Sequence, residues 1–278
     1  MNRHAMKRHA MKRHAMNRLL ITLLLCVSAA AHAGRSCETK LPDTRSVQRG
    51  LELAARTAQA LDDSGADVVV LARAGQDLSR YGLRWSHFGL AYREAGQPGE
   101  GSVWRVVHKL NHCGSASADV YRQGLAEFFL DDPFEYRAAY AVLAVEAQER
   151  LRPLLRDNAR AALLHTEAYS MVAYPWAQTY QQSNQWALET LALALALEPA
   201  ATSRERAQAW LQFKGYVPTT LKLGAMVRLG ARMTAANVAF DDHPNEKRFS
   251  DRIETVTVDS VFTWLRRTGL TMAVHELR

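Results

Sequence analysis

The sequence predicts an α+β fold, because strand-like segments group in the middle of the chain and helix-like segments surround them. Two segments, 85–93 and 103–110, are strand-like, and in a strand alternate residues point to the same face. An amphipathic pattern over 45–62 and an apolar run that begins at Ser183 are typical of helices. The chain has 278 residues, 48% of them hydrophobic, which is enough to bury a sizeable core.

Residues 1–33 have the features of a secretory leader. The tetrapeptide Arg-His-Ala-Met occurs three times at five-residue intervals, a low-complexity pattern that carries no fold information, so Met16 is the expected true start. An apolar run over 19–31 follows, and Ala31-His32-Ala33 matches a signal-peptidase site. We predict cleavage after Ala33, a periplasmic location and one domain over 34–278, with an uncleaved anchor as the alternative.

The net charge of +7 belongs mostly to this leader. Residues 34–278 carry 29 Lys and Arg against 28 Asp and Glu, and no basic stripe is visible. This balance argues against a nucleic-acid partner. Three basic residues within 221–233 argue against a membrane span there, so we expect no transmembrane segment in the mature chain. The expected partner is a small molecule, a peptide or a cell-envelope component of unknown identity.

The first half of the mature chain begins with the helix over 45–62, whose apolar residues fall largely on one side. A strand over 66–75 ends in a turn. The strands over 85–93 and 103–110 are joined by a Gly- and Pro-rich connection, 94–101, which predicts an antiparallel hairpin with a long loop.

The second half is predicted to be mainly helical. A strand over 138–145 precedes a helix over 146–156, and the helix from Ser183 to Leu197 is apolar on nearly all faces, which is typical of a buried central helix. The remaining predicted elements are a helix over 203–213, a Gly-interrupted segment over 221–233, a strand over 253–258 and a helix over 260–267.

Three residues are candidates for chemistry. His87 and His108 occupy neighbouring predicted strands, and Ser183 stands where the apolar helix begins. A helix start gathers unpaired N–H groups and a positive dipole end, which suits anion stabilisation or nucleophilic attack. Each residue also has a structural explanation: Ser183 as a helix N-cap, His87 as a buried strand histidine and His108 as a sheet residue bonded to a backbone carbonyl.

The segment Ser86-His87-Phe88-Gly89-Leu90-Ala91-Tyr92 resembles the His-x-Gly-[Ile/Val/Leu]-x-Tyr strand of the circularly permuted papain-like hydrolases, which include NlpC-type peptidases and lecithin–retinol acyltransferase relatives. Val106-Val107-His108 occupies the place of their second polar residue, and Gln182-Ser183-Asn184-Gln185-Trp186 is similar to their nucleophile motif. The resemblance implies a papain-like core in permuted order, with an antiparallel sheet packed on a buried central helix. It also implies a nucleophile at Ser183, a base at His87 and an orienting residue at His108.

The chain departs from that pattern in one respect, because Ser183 stands where the family has cysteine. A thiol ionises readily beside an imidazolium, whereas a hydroxyl must lose its proton to an aligned base during attack. Two functions therefore remain open: hydrolysis or transfer at an amide or ester, and a non-catalytic periplasmic binding or assembly module. Segments 131–134 and 169–175 also resemble a secreted proteobacterial family known only as a domain of unknown function.

The cysteines and one acidic cluster complete the candidates. Cys26 leaves with the leader, and Cys37 and Cys113 are predicted to form a disulfide, with two free thiols as the alternative. A nucleophilic Cys113 is a weaker hypothesis. The sequence Asp241-Asp242-His243-Pro244 contains metal-ligand residue types, but a turn explains it equally well, so we predict neither a metal nor a cofactor.

Overall fold

A computed structural model describes residues 42–96, 101–131, 133–196 and 202–278. Within them the chain forms nine helices and eight strands, which confirms the predicted α+β class with an antiparallel sheet. The leader, its cleavage point and Cys37 lie outside the described residues, so the secretion signal and the Cys37–Cys113 bridge stay predictions.

The central sheet has six strands in the order β4-β3-β2-β1-β5-β8, and every neighbouring pair is antiparallel. The predicted hairpin is present as β2 and β3. Sequence patterns missed the polar β4 and the three-residue β8, and they placed the end of β5 three residues too late. The strands are β1 (Val68–Ala74), β2 (His87–Glu94), β3 (Val103–Asn111), β4 (Ala118–Gly124), β5 (Glu135–Val142) and β8 (His275–Leu277).

A second, two-stranded sheet pairs β6 (Thr219–Lys222) with β7 (Arg252–Thr255). The predicted strand over 253–258 ends early because Thr257 caps the next helix by accepting a hydrogen bond from the Ser260 N–H. The helices are α1 (Thr44–Asp63), α2 (Leu125–Leu130), α3 (Val145–Arg156), α4 (Asn158–Ala161), α5 (Ser183–Leu195), α6 (Arg204–Phe213), α7 (Ala225–Thr234), α8 (Asn245–Arg248) and α9 (Val258–Arg267).

Helices cover both faces of the central sheet. On one face, α5 buries Trp186 and Leu191 against Phe88, Leu90 and other strand residues of the larger core. On the other face, α1 and α2 pack their apolar residues against Val69, Leu71 and Val106 in a second core. The alternation of side chains along β2 therefore sends Phe88 toward α5 and His87 toward α2. No helix in the described ranges is long and apolar enough to cross a membrane.

Candidate functional site

His87 and His108 are in direct contact. His87 Nε2 lies 2.9 Å from His108 Nδ1, and His108 Nε2 lies 2.8 Å from Gln123 Oε1 on β4. Because an amide oxygen only accepts, His108 donates from Nε2 and its Nδ1 accepts the Nε2–H of His87. This pattern leaves His87 Nδ1 without a hydrogen and with a free lone pair, and this nitrogen has no hydrogen-bond partner among the described residues.

Gly89 makes room for this contact. A Cβ atom at Gly89 would lie 2.6 Å from Val106 Cγ1 and 3.0 Å from His108 Cβ, both closer than normal van der Waals contact. The glycine thus lets β3 approach β2 closely enough for the His108 ring to reach His87. The sequence His87-Phe88-Gly89 therefore has a packing reason that is independent of any resemblance.

Burial and a neighbouring cation keep both rings neutral. Burial is the main cause that lowers the pKa of His87 well below its usual value, and the Arg73 guanidinium and His108 add to it. Burial and Arg73 likewise lower the pKa of His108 to about 4, although Gln123 and Asp131 oppose the shift. Arg73 faces His87 across the β1–β2 ladder and pairs with Asp131. At neutral pH both imidazoles are therefore uncharged.

Ser183 is the first residue of α5, and the N-cap position before it belongs to Gln182. The interpretation of Ser183 as the helix N-cap is therefore wrong, because the N-cap lies one residue earlier in the chain, at Gln182. Ser183 is 7% exposed and interacts with the phenol of Tyr169, whose pKa burial raises and hydrogen bonds from Ser183 lower. The hydroxyl thus stands at a positive helix end beside a second buried hydroxyl.

Asn184 fixes the start of α5 to the start of β2. Its Oδ1 accepts a hydrogen bond from the Phe88 N–H at 3.2 Å, and its Nδ2 donates to the Ser86 carbonyl at 3.3 Å. These two backbone groups belong to the residues on either side of His87. The residue after Ser183 is therefore bonded to the chain immediately around the candidate base, which sequence reasoning did not foresee.

Ser183 and His87 line one cavity of about 960 Å³. The cavity extends around the end of the sheet where β1 and β3 end and β2 begins, so it reaches Ser183 on the α5 side and His87 on the α2 side. Apolar residues such as Tyr81 and Leu223 form part of its wall, and Tyr169 and Arg73 also line it. Its volume lies at the upper end of the range for small-molecule sites.

Ser183 and His87 share no direct hydrogen bond within the described chain. His108 lies behind His87 and is not part of the cavity wall. Its ring packs against that of Phe128, with 5.2 Å between the ring centroids. The structure thus brings the two histidines together and places Ser183 on the same cavity, and the catalytic roles of the three residues stay predictions.

A second polar cluster joins Glu189, in the mainly apolar helix α5, to Arg204 at the start of α6. Glu189 is 1% exposed and accepts hydrogen bonds from Arg204 at 2.9 Å and from Gln181 at 2.6 Å. Gln185 and Gln208 donate to its other oxygen. A single glutamate within an apolar helix signals a buried partner, because an unpaired buried carboxylate is very costly.

The remaining candidates have other surroundings. Cys113 lines the cavity, but its predicted partner Cys37 lies outside the described residues. Asp242 and His243 bond to each other, to the Tyr174 N–H and to the Glu254 carbonyl. Across the described ranges no three His, Cys, Asp or Glu residues converge in a way that could hold a metal ion.

Comparison with known proteins identifies the family but no activity. A family model described as "uncharacterized protein conserved in bacteria" matches residues 60–265, which is well over half of the chain. No curated protein and no solved structure matches. The match spans β1 to α9 and therefore includes His87, His108 and Ser183. The chain belongs to the DUF2145 family of uncharacterized bacterial proteins.

Proposed function

We propose that the protein hydrolyses or transfers an acyl group at an ester or amide bond, with Ser183 as nucleophile and His87 as general base. The observation that carries the proposal is the His87–His108–Gln123 chain, which leaves a lone pair on His87 Nδ1, together with the cavity that both His87 and Ser183 line. His108 holds the ring of the base in the productive tautomer. The papain-like core in permuted order, which the sequence resembles, is part of the proposal, and the antiparallel sheet packed on the buried helix α5 supports it.

In the proposed reaction, Ser183 Oγ attacks the substrate carbonyl carbon while its proton passes to His87 Nδ1. The same proton then passes to the leaving amine or alcohol as its bond to carbon breaks. Water, or a second alcohol or amine, releases the acyl group from Ser183 by the same steps in reverse. The N–H groups at the start of α5 are suited to stabilise the oxyanion.

The electrostatics favour a hydroxyl over a thiolate as nucleophile. A thiolate–imidazolium pair needs a charged His87, which burial and Arg73 oppose. A neutral imidazole is the form that a serine requires for general-base catalysis. The serine at position 183 is thus consistent with the neutral state of the pair.

A non-catalytic binding module is the second candidate function. It is favoured by the contact of Ser183 with Tyr169 and by the lack of a direct hydrogen bond to His87 in the described chain. Hydrogen bonds of catalytic groups are often long before substrate binds, so this geometry does not decide between the two candidates. In the binding reading, the cavity receives its ligand without covalent chemistry.

Labelling with an alkyl fluorophosphonate distinguishes the two. We expect the reagent to modify the purified mature protein at Ser183, as read by intact mass and peptide mapping, and Ser183→Ala to abolish the modification. Ser46→Ala, at a partly exposed serine in the first turn of α1, is the matched control and should label as the wild type does. Absence of labelling in a folded protein, together with saturable binding of a small molecule in the cavity, would favour the binding module.

A further inference from the structure

The Asp242–His243 pair is completely buried, with no exposed side-chain surface on either residue. His243 Nδ1 lies 2.9 Å from Asp242 Oδ1, and His243 Nε2 lies 2.9 Å from the Glu254 carbonyl oxygen. The other carboxylate oxygen, Asp242 Oδ2, accepts the Tyr174 N–H at 2.7 Å. Both ring nitrogens therefore face oxygen atoms, and the carboxylate is satisfied on both of its oxygens.

The number of protons in this pair follows from its acceptors. A carbonyl oxygen only accepts, so His243 Nε2 carries a hydrogen. An ionised carboxylate likewise only accepts, so with Asp242 ionised the Nδ1 contact requires a second hydrogen on the ring. From this geometry we infer that His243 is held doubly protonated against Asp242 and is a positioning residue for Ser183. The positioning role rests on the proposed function.

The pair reaches Ser183 through its neighbours in the chain. Asp242 accepts a hydrogen bond from the Tyr174 N–H. Gln185 Nε2 lies 3.5 Å from the Tyr174 carbonyl oxygen and donates to the Pro175 carbonyl oxygen at 3.2 Å. His243 holds the carbonyl of Glu254, and the next residue, Thr255, accepts from Gln182 Nε2 at 2.9 Å. The two series of hydrogen bonds thus end on Gln185 and Gln182, which lie on either side of Ser183 in the sequence.

The charged groups around the pair are few. The ring centroids of Tyr174 and His243 lie 5.1 Å apart, and Lys247 Nζ lies 5.7 Å from the Tyr174 ring centroid. Lys247 pairs with the Glu254 carboxylate at 2.5 Å, which offsets its repulsion of a charged His243. Asp242 is then the carboxylate in direct contact with the ring, and the pair is neutral as a whole.

Replacing Asp242→Asn tests the inference, because the amide can satisfy the same contacts without the extra proton. Its oxygen accepts the Tyr174 N–H, and its NH₂ donates to an unprotonated His243 Nδ1. By ¹⁵N NMR at pH 7 we expect hydrogens on both His243 nitrogens in the wild type and on Nε2 alone in Asp242→Asn. Fluorophosphonate labelling of Ser183 should stay near the wild-type rate in Asp242→Asn. In Asp242→Ala the labelling rate should fall on the order of tenfold to a hundredfold, because the segments bonded to Gln182 and Gln185 shift and move Ser183 with them.

Asp241→Ala, at the neighbouring and largely exposed aspartate, is the matched control and should change neither readout. A wild-type His243 that lacks a hydrogen on Nδ1 overturns the protonation. Unchanged labelling in a folded Asp242→Ala overturns the positioning role. If the wild type is not labelled at all, the proposed function fails separately. The amide resonances of Gln182 and Ser183 then decide the positioning role, since no change between wild type and Asp242→Ala overturns it.

Discussion

Two polar clusters of the interior, one around Glu189 and one around His87, differ in one decisive respect. The cluster around Glu189 is closed: the carboxylate accepts from Arg204, Gln181, Gln185 and Gln208, and Arg204 also donates to the carbonyls of Ala177, Gln178 and Tyr180. The chain formed by His87, His108 and Gln123 is open, because it ends on a lone pair at His87 Nδ1.

This difference separates a structural network from one that is available for chemistry. A satisfied buried network holds its surroundings in one arrangement, and here it anchors the segment over 177–181 that leads into Ser183. A network with one unused acceptor can receive a proton from a substrate or a nucleophile. The contrast predicts that changes in the closed cluster affect stability and that changes in the open chain affect reactivity.

The largest expected effect belongs to the open chain. His87→Gln should slow fluorophosphonate labelling of Ser183 by about 10²–10⁴-fold, because the nucleophile loses its base. The folded structure, read by circular dichroism, should be retained. His112→Gln, a histidine away from the cavity wall, should label at the wild-type rate. Equal rates in His87→Gln and the wild type would remove His87 from the mechanism.

The closed cluster should dominate stability. Glu189→Ala leaves Arg204 buried without its carboxylate, which is expected to cost about 3–5 kcal/mol in the free energy of unfolding measured with urea. The control is Arg84→Ala, which breaks an exposed ion pair with Glu276 and should cost less than about 1 kcal/mol. Similar losses in the two variants would contradict the view that Glu189 is the centre of a buried network.

Acid should destabilise the protein through the open chain. Because the pKa of His108 is lowered to about 4, the unfolded chain binds more protons than the folded one between pH 4 and pH 6.5. The contribution of His108 to the free energy of unfolding is therefore fully present above pH 6.5. It falls by about 3 kcal/mol as the pH falls toward 4. Urea titrations at pH 7.0, 5.5 and 4.5 measure the slope, and it should be smaller in His108→Gln. An equal slope in that variant would show that His108 is not the group that titrates.

The same shifts set the pH profile of labelling. His87 acts as a base only when neutral, and its pKa lies well below 6.5. The labelling rate at Ser183 should therefore be level from pH 6.5 to pH 8 and fall only in more acidic solution. A rate that still rises steeply between pH 6.5 and pH 8 would indicate a different base.

The smallest of these effects is expected at Gly89. Gly89→Ala introduces a Cβ atom 2.6 Å from Val106 Cγ1, so β3 must shift, and overpacking of this kind typically costs about 1–3 kcal/mol. The shift moves His108 away from His87, so labelling of Ser183 should slow as well. Gly101→Ala, where a Cβ atom meets nothing within 4 Å, is the control and should affect neither quantity.

The sequence predicted most of the elements that place the site, for physical reasons that remain visible in the structure. The strand-like segments over 85–93 and 103–110 located β2 and β3, and the apolar run located α5, because these elements are largely buried. The strand β4 was missed because its exposed side chains are polar, although it supplies Gln123. The Glu189–Arg204 pair joins residues on two different helices, and a single sequence does not show which residue is the partner of Glu189.

The most direct test of the open chain is the tautomer of His87, read by ¹⁵N NMR of the ring nitrogens at pH 7. The account predicts a hydrogen on His87 Nε2, none on Nδ1, and the same tautomer in His108. Ring nitrogens with hydrogen on Nδ1 of His87, or on both of its nitrogens, would contradict the account, because the base proposed for Ser183 would then have no lone pair to offer.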